Sequence, residues 1–149
     1  LSFREAGERL APDSAKVGKH LRAVKRGGYV ALMAYVERTP RREKLLRALQ
    51  AAIRDATGAA VTVGYGPRFL HSTGQLHKGG APGGVFVQLL ADDPIDAPIH
   101  GERHTFSILK NAQALGDYQA LVGRGRSVIR VDLDDQVERG LQKLRDVLR

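Results

Sequence analysis

Tyr29-Val30-Ala31-Leu32-Met33-Ala34-Tyr35-Val36 is an almost unbroken apolar run. A strand with one wet face alternates apolar and polar side chains, whereas a strand covered on both faces stays apolar throughout. The run therefore predicts an interior strand of a parallel sheet with helices on both sides. The residues that follow agree with this. Thr39-Pro40 opens a helix: threonine supplies a cap oxygen, and proline stands where its missing N–H costs nothing. Leu45, Leu49, Ala52 and Ile53 form the apolar stripe of that helix, and Gly58 sits just past its end, where a left-handed residue is wanted. Ala60-Val61-Thr62-Val63-Gly64-Tyr65 reads as the next strand.

The same alternation extends in both directions. Upstream, Asp13 is expected to cap a helix running to about Arg26, with Val17, Leu21 and Val24 on one side and Gly27-Gly28 as its stop. Residues 1–12 read as a linker or the tail of a preceding unit, and 13–149 as a single domain. Downstream, Val85-Phe86-Val87-Gln88-Leu89-Leu90 is a strand, and Asp92 to Arg103 is loop. Thr105 or Ser107 caps a helix from about Phe106 to Leu121, with Ile108, Ala112 and Leu115 along its apolar side. Val128 to Leu133 alternates, as a strand nearer a sheet edge does. Asp135 with Glu138 makes a capping box for a last helix that buries Val137, Leu141, Leu144 and Leu148. Strands alternating with helices predict an α/β three-layer sandwich, with a mainly parallel sheet of four or five strands flanked by helices.

Composition narrows the class further. A chain of 149 residues suits one domain with a core of its own. Tryptophan is absent and aromatics are 5% of the chain, so aliphatic side chains must fill the interior. Without cysteine there is neither a disulfide framework nor a thiolate metal site. No apolar run is long enough to cross a bilayer, and the pattern of a secretory signal is absent, so a cytoplasmic protein is expected. The first residue is Leu1, which suggests a processed product or part of a longer protein. The formal charge of +8 raises the question of nucleic acid. Its cations are scattered and interleaved with acids, as on a solvated basic surface, so no nucleic-acid or membrane partner is expected.

The chemistry concentrates in Gly66-Pro67-Arg68-Phe69-Leu70-His71-Ser72-Thr73-Gly74-Gln75-Leu76-His77-Lys78-Gly79-Gly80, between two strands. A connection that long in a compact chain is usually functional. It follows a strand, so it starts at the carboxyl edge of the sheet, where ligands of such folds collect. Glycines free its backbone, while its cations, hydroxyls and imidazoles suit an anionic, hydroxyl-rich ligand. His71 can exchange a proton near neutral pH, or it can be a structural histidine bonded to the loop backbone. His77 and Lys78 precede two glycines; Lys78 either meets a phosphate or sugar oxygen or is a solvated turn residue. Ser72, Thr73 and Gln75 could open a short helix facing an anion, or act as plain caps. Lys110 lies in the first turn of its helix, where a cation is unfavourable unless an anion, ligand or carboxylate, stands beside it. Gln113 and Asp117 share its face by spacing. His100 and His104 are four apart, but intervening breakers argue against a metal site, and His20 reads as a surface helix residue.

Tyr29-Val30-Ala31-Leu32, the loop from Gly64 to Gly80, and Thr105-Phe106 with Leu109-Lys110 through Asp117 together resemble the carboxyl-terminal part of bacterial bifunctional transaldolase/glucose-6-phosphate isomerase. The resemblance runs from about residue 28 to 133. It implies a sugar-isomerase-like domain, the last in an enzyme that interconverts glucose 6-phosphate and fructose 6-phosphate by acid–base catalysis through a cis-enediolate. It implies no metal or organic cofactor, and a place in glycolysis, gluconeogenesis and the pentose phosphate pathway. His71, followed by Gln75-Leu76-His77, resembles the family's ring-opening histidine, and Lys110 its late-helix lysine. Arg68, Ser72, Thr73, Gln75, His77 and Lys78 would position substrate oxygens. The proton-moving glutamate would come from the preceding isomerase domain, which with the transaldolase domain is an expected partner. A homodimer is expected on the same grounds. The alternative from another class is a non-catalytic sugar-phosphate-binding regulatory module.

Overall fold

The computed structural model describes residues 7–66, 68, 73–92 and 96–149, with the backbone alone for 73–75. The elements in chain order are β1 (Arg9–Leu10), α1 (Ala15–Arg22), β2 (Tyr29–Tyr35), α2 (Pro40–Thr57), β3 (Ala60–Tyr65), α3 (Thr73–Gly79), β4 (Gly84–Leu90), α4 (Phe106–Gly123), β5 (Ser127–Asp132) and α5 (Val137–Asp146). Among the described residues the strands form one five-stranded sheet, ordered β1-β5-β4-β2-β3, with every pair parallel. The protein is thus an α/β three-layer sandwich. The apolar run that predicted an interior strand is β2, between β3 and β4 and buried from Val30 to Tyr35.

Strand periodicity divides the core in two. On one face Val30, Leu32 and Ala34 of β2 join Val85, Val87 and Leu89 of β4, under Val17 and Leu21 of α1, Leu46, Leu49 and Ile53 of α2, and Leu141 and Leu144 of α5. On the other face Ala31, Met33 and Tyr35 join Phe86 and Leu90 beneath Ala114 and Leu121 of α4. The first face is wholly apolar. The second also buries Gln88 and Arg130, which share a register row with Met33.

Local signals explain most element ends. The Thr39 hydroxyl accepts from the Arg42 N–H with Pro40 in the first turn, and Gly58 closes α2 in the left-handed region at φ +70°. The Thr105 hydroxyl accepts from the Ile108 N–H at the start of α4. Four expectations are corrected. The first helix is capped by Ser14, not Asp13, and spans Ala15–Arg22 only. Arg9–Leu10, expected in a tether, pairs with β5 as an edge strand. The Asp135–Glu138 box does not form: Gln136 is the cap, without a side-chain bond, and Glu138 instead accepts from Arg42 Nε of α2 at 3.1 Å. The Glu138 carboxylate also accepts from its own N–H, so its acceptor capacity is shared between that bond and the charged donor from the neighbouring helix. Finally, the stripe expected to bury α4 points outward. Ala114, Asp117 and Leu121 face the sheet, while Ile108 and Ala112 are exposed and Leu115 is half-exposed. Among the described residues no helix is long and apolar enough to cross a membrane.

Candidate functional site

Because the sheet is parallel, β2, β4 and β5 lead at their carboxyl ends toward α2, α4 and α5, whose N-termini share that edge. The long loop leaves the same edge after Tyr65, and its root is held three ways. The Tyr65 hydroxyl donates to Glu43 Oε2 at 2.5 Å. The Gly66 N–H donates to the Ala34 carbonyl at 2.9 Å. The Gly66 Cα lies against the fully buried Tyr35 ring, where a Cβ would come within 2.5 Å of ring carbon. The Tyr65 hydroxyl, with Arg38 and Arg47 beside it, holds the Glu43 carboxyl below its usual range. Burial first, then Glu43, pushes the Tyr65 phenol up to about 12. Arg38 also stacks over the Tyr65 ring at 5.2 Å.

The far end of the loop is held by α3. Lys78 Nζ lies 3.1 Å from Asp117 Oδ1 of α4, and Arg126 Nη2 donates to the Lys78 and Gly80 carbonyls at 3.2 and 2.6 Å. The buried His77 ring meets the Phe86 ring at 5.0 Å, near Tyr29. Beneath α4, Arg130 Nε donates to Gln88 Oε1 at 3.1 Å and Gln88 Nε2 to the Ala114 carbonyl at 2.8 Å. A neutral bond such as the second stabilises by about 1 kcal/mol net, and one from a charged donor by more. Arg130 also lies over the Tyr118 ring at 5.4 Å. Burial first, then the Asp117 carboxylate, raises the Tyr35 phenol far above its ordinary value, so it stays protonated. This layer fixes α4 on the sheet. In parallel sheets of this kind ligands meet the carboxyl edge, from which the loop leaves.

The expected site residues therefore separate. His71 and Ser72 lie outside the described residues, as do the side chains of Thr73 and Gln75, whose backbone begins α3. Arg68 is exposed beside the loop root. His77 and Lys78 come together with Asp117, in a buried strut rather than an open pocket. Lys110 stands half-buried near the start of α4. The anion its position calls for includes the Asp96 carboxylate, which accepts from the Ser107 N–H at 3.1 Å at that helix end. The Thr105 hydroxyl first, and later the Ser107 groups and the Lys110 charge, hold the Asp96 carboxyl below its usual range. His20 is not a surface residue, since its Nε2 is 3.0 Å from the Phe86 carbonyl. Sequence reading missed Gln88, Arg130 and Arg126. A polar residue at a core-facing position of an apolar strand, as at Gln88, is the signal that marks such a group. Among the described residues no cluster of three or more His, Asp or Glu could hold a metal.

Burial is the main cause that holds both His20 and His77 below 6.5, although the Phe86 carbonyl favours the charged His20 and Asp117 the charged His77. The unfolded chain therefore takes up protons first as pH falls, so stability is lost below 6.5, toward the folded values, and is level above it. Glu43 and Glu138, also depressed, act lower, below 4.5. Thermal melting is expected to fall from pH about 7 to about 5, and a His20→Gln/His77→Gln variant to show a flatter profile there. An unchanged slope in that variant would remove these two imidazoles as the cause.

No family model matches the chain, and no curated protein matches it. A solved structure of a hypothetical protein from Thermus thermophilus is similar over 90% of this chain, with a TM-score of 0.71 and 17% identity. The likeness is one of fold: both contain this α/β sandwich. This chain spans 38% of the length of that structure.

Proposed function

We propose that this chain is the carboxyl-terminal domain of a cytoplasmic glucose-6-phosphate isomerase, joined to a transaldolase in a longer protein. The supporting observation is the anchoring of the signature loop. It starts at the carboxyl edge of a parallel sheet from a root fixed by Tyr65, Gly66 and Tyr35, and ends in a helix tied to Asp117 and Arg126. In such sheets that edge is where ligands bind. Anchoring both ends serves a loop whose groups must be placed to within a fraction of an ångström.

In this reading His71 gives and takes the proton that opens and closes the sugar ring. Lys110, at the same edge with Asp96 as neighbour, meets the ring-oxygen region, and Arg68, Ser72, Thr73 and Gln75 position substrate oxygens. His77 and Lys78 contribute through the strut they make with α4. The carboxylate that moves the proton between C1 and C2 comes from the preceding isomerase domain, so this chain holds part of a shared site. In a coupled assay of the full-length protein, His71→Ala should lower turnover by about 10²–10⁴-fold, the usual worth of a positioned acid–base group. Unchanged turnover at saturating substrate would remove His71 from the mechanism.

A further inference from the structure

The helices run back alongside a parallel sheet, so they end at its amino edge, opposite the candidate site. Strands β5, β4 and β2 are neighbours, and the turns that enter them lie side by side at that edge. The turn before β2 carries Lys25 and Arg26, and Arg22 ends the helix that leads to it. The turn before β5 carries Arg124 and Arg126, and glycines fill the turn between. Scattered along the chain, these five cations gather in the fold. The sequence has no acidic residue from Ser14 to Val36, from Ala56 to Ala91 or from Tyr118 to Val131. The ends of α2 and α5 bring Asp55 and Asp146 to the same edge, and each has its own arginine, Arg54 at 3.5 Å and Arg149 at 3.7 Å.

A helix carboxyl end carries partial negative charge, which a cation in the last turn offsets. That need accounts for Arg22. Lys25, Arg26 and Arg126 stand beyond the last turns of α1 and α4, where the effect has faded. Lys25, Arg26 and Arg124 are exposed, while Arg22 and Arg126 bond to carbonyls, which leave their charge in place. The turns are also locked to one another. A Cβ on Gly28 would fall 2.5 Å from the Gly83 carbonyl oxygen, to which the Tyr29 N–H donates at 3.3 Å. Arg126 Nη2 reaches across to the Gly80 carbonyl at 2.6 Å. The charges therefore stand on a fixed strip three strands wide, about 10 Å by strand spacing.

We infer that this strip binds the phosphate backbone of a nucleic-acid duplex without reading its sequence. Each strand of a duplex carries a charge about every 3.4 Å along its axis, so the strip faces several phosphates at once. All but Lys25 of the five are arginines, whose planar fork matches phosphate oxygens. The absence of apolar groups selects the partner. A protein interface takes its affinity from a buried apolar core, since exposed ion pairs contribute little. A bilayer surface is held by cations together with inserted apolar side chains, and a single strand by bases stacked on aromatics. Among the described residues the exposed large apolar side chains are Leu76, Phe106, Ile108 and Val122, none of them in these turns. Tyr29, the aromatic at this edge, is half-buried against Phe86. A duplex backbone requires cations alone. The strip faces away from the candidate site, so the inference is independent of the isomerase reading.

Fluorescence anisotropy of a short labelled DNA duplex, titrated with the 149-residue chain across a salt series, tests it. A dissociation constant of about 10⁻⁴–10⁻⁶ M near physiological salt is expected, alike for unrelated sequences, with log K falling against log salt at a slope of about −4. Lys25→Gln/Arg26→Gln/Arg124→Gln should weaken binding at least about tenfold and make the slope shallower by about 3. Arg41→Gln/Lys44→Gln/Arg139→Gln removes as much charge from exposed positions at the opposite edge, and should weaken binding by less than about threefold. No binding at low salt, equal weakening in the two triple variants, or a preference for phosphatidylserine–phosphatidylcholine vesicles over the duplex would overturn the assignment.

Discussion

Lys78→Met is expected to destabilise the chain by about 3 kcal/mol, the low end for breaking a buried ion pair by removing one partner. The two ends of this pair are not equally buried. The Asp117 side chain is 1% exposed and that of Lys78 is 21% exposed. Asp117 makes no other ion pair or hydrogen bond among the described residues. Without the ammonium its charge would sit uncompensated between α4 and the sheet. The reverse change is milder. Asp117→Asn leaves a lysine that can swing toward water, and about 1–2 kcal/mol is expected. Replacing both, as in Lys78→Met/Asp117→Leu, should recover most of the loss, because apolar residues of similar size often substitute for a buried pair at little cost. Urea denaturation of the three variants measures all of this. Lys78→Met within about 0.5 kcal/mol of the parent would show that the pair is not the strut of α3.

Gly66→Ala is expected to cost about 2–3 kcal/mol by overpacking, one methyl being enough. The added carbon would fall 2.5, 2.6 and 2.8 Å from the Cε1, Cζ and Cδ1 atoms of Tyr35. That ring cannot step aside, since it is 0% exposed between Met33, Leu90 and the underside of α4. The backbone would have to move instead, breaking the bond from Gly66 N to the Ala34 carbonyl and shifting the loop root. A smaller residue in place of the ring provides the control: Tyr35→Val should be destabilising by itself, yet Gly66→Ala should cost less in its background. Additive losses in the double variant would place the effect elsewhere than in this contact.

Most of the layer architecture could be read from the sequence because its signals are local. Thr39-Pro40 and Gly58 bound α2 by needs met within one turn of chain. The apolar run at β2 needs only that both faces be covered. Where a competitor came from elsewhere in the fold, reading failed. Glu138 suits its own helix end by spacing but is claimed by Arg42 from another helix. Arg9–Leu10 resembles a tether until the free edge of β5 offers it a partner.

The candidate site divides in the same way. The edge from which the loop leaves the sheet was legible, and the position of Lys110 at a helix start foretold a neighbouring anion, met in part by Asp96. That Lys78 belongs to Asp117 was not legible. The two residues are far apart in the chain, and only the packing of α3 against α4 brings them together. Nor was the orientation of α4: periodicity shows that Ile108, Ala112 and Leu115 share a side, but not which side faces the sheet.

The alternation of the longer strands and helices from α1 onward, the ends of α2 and the place where the loop leaves the sheet were determined by the sequence alone, since hydrophobic period, caps and turns act over a few residues. The tertiary structure decided which charges were buried in pairs and which apolar stripe was left facing outward. Those outcomes depend on how helices roll on the sheet, and rolling is set by the sum of many distant contacts, no one of which is written in any single stretch of chain.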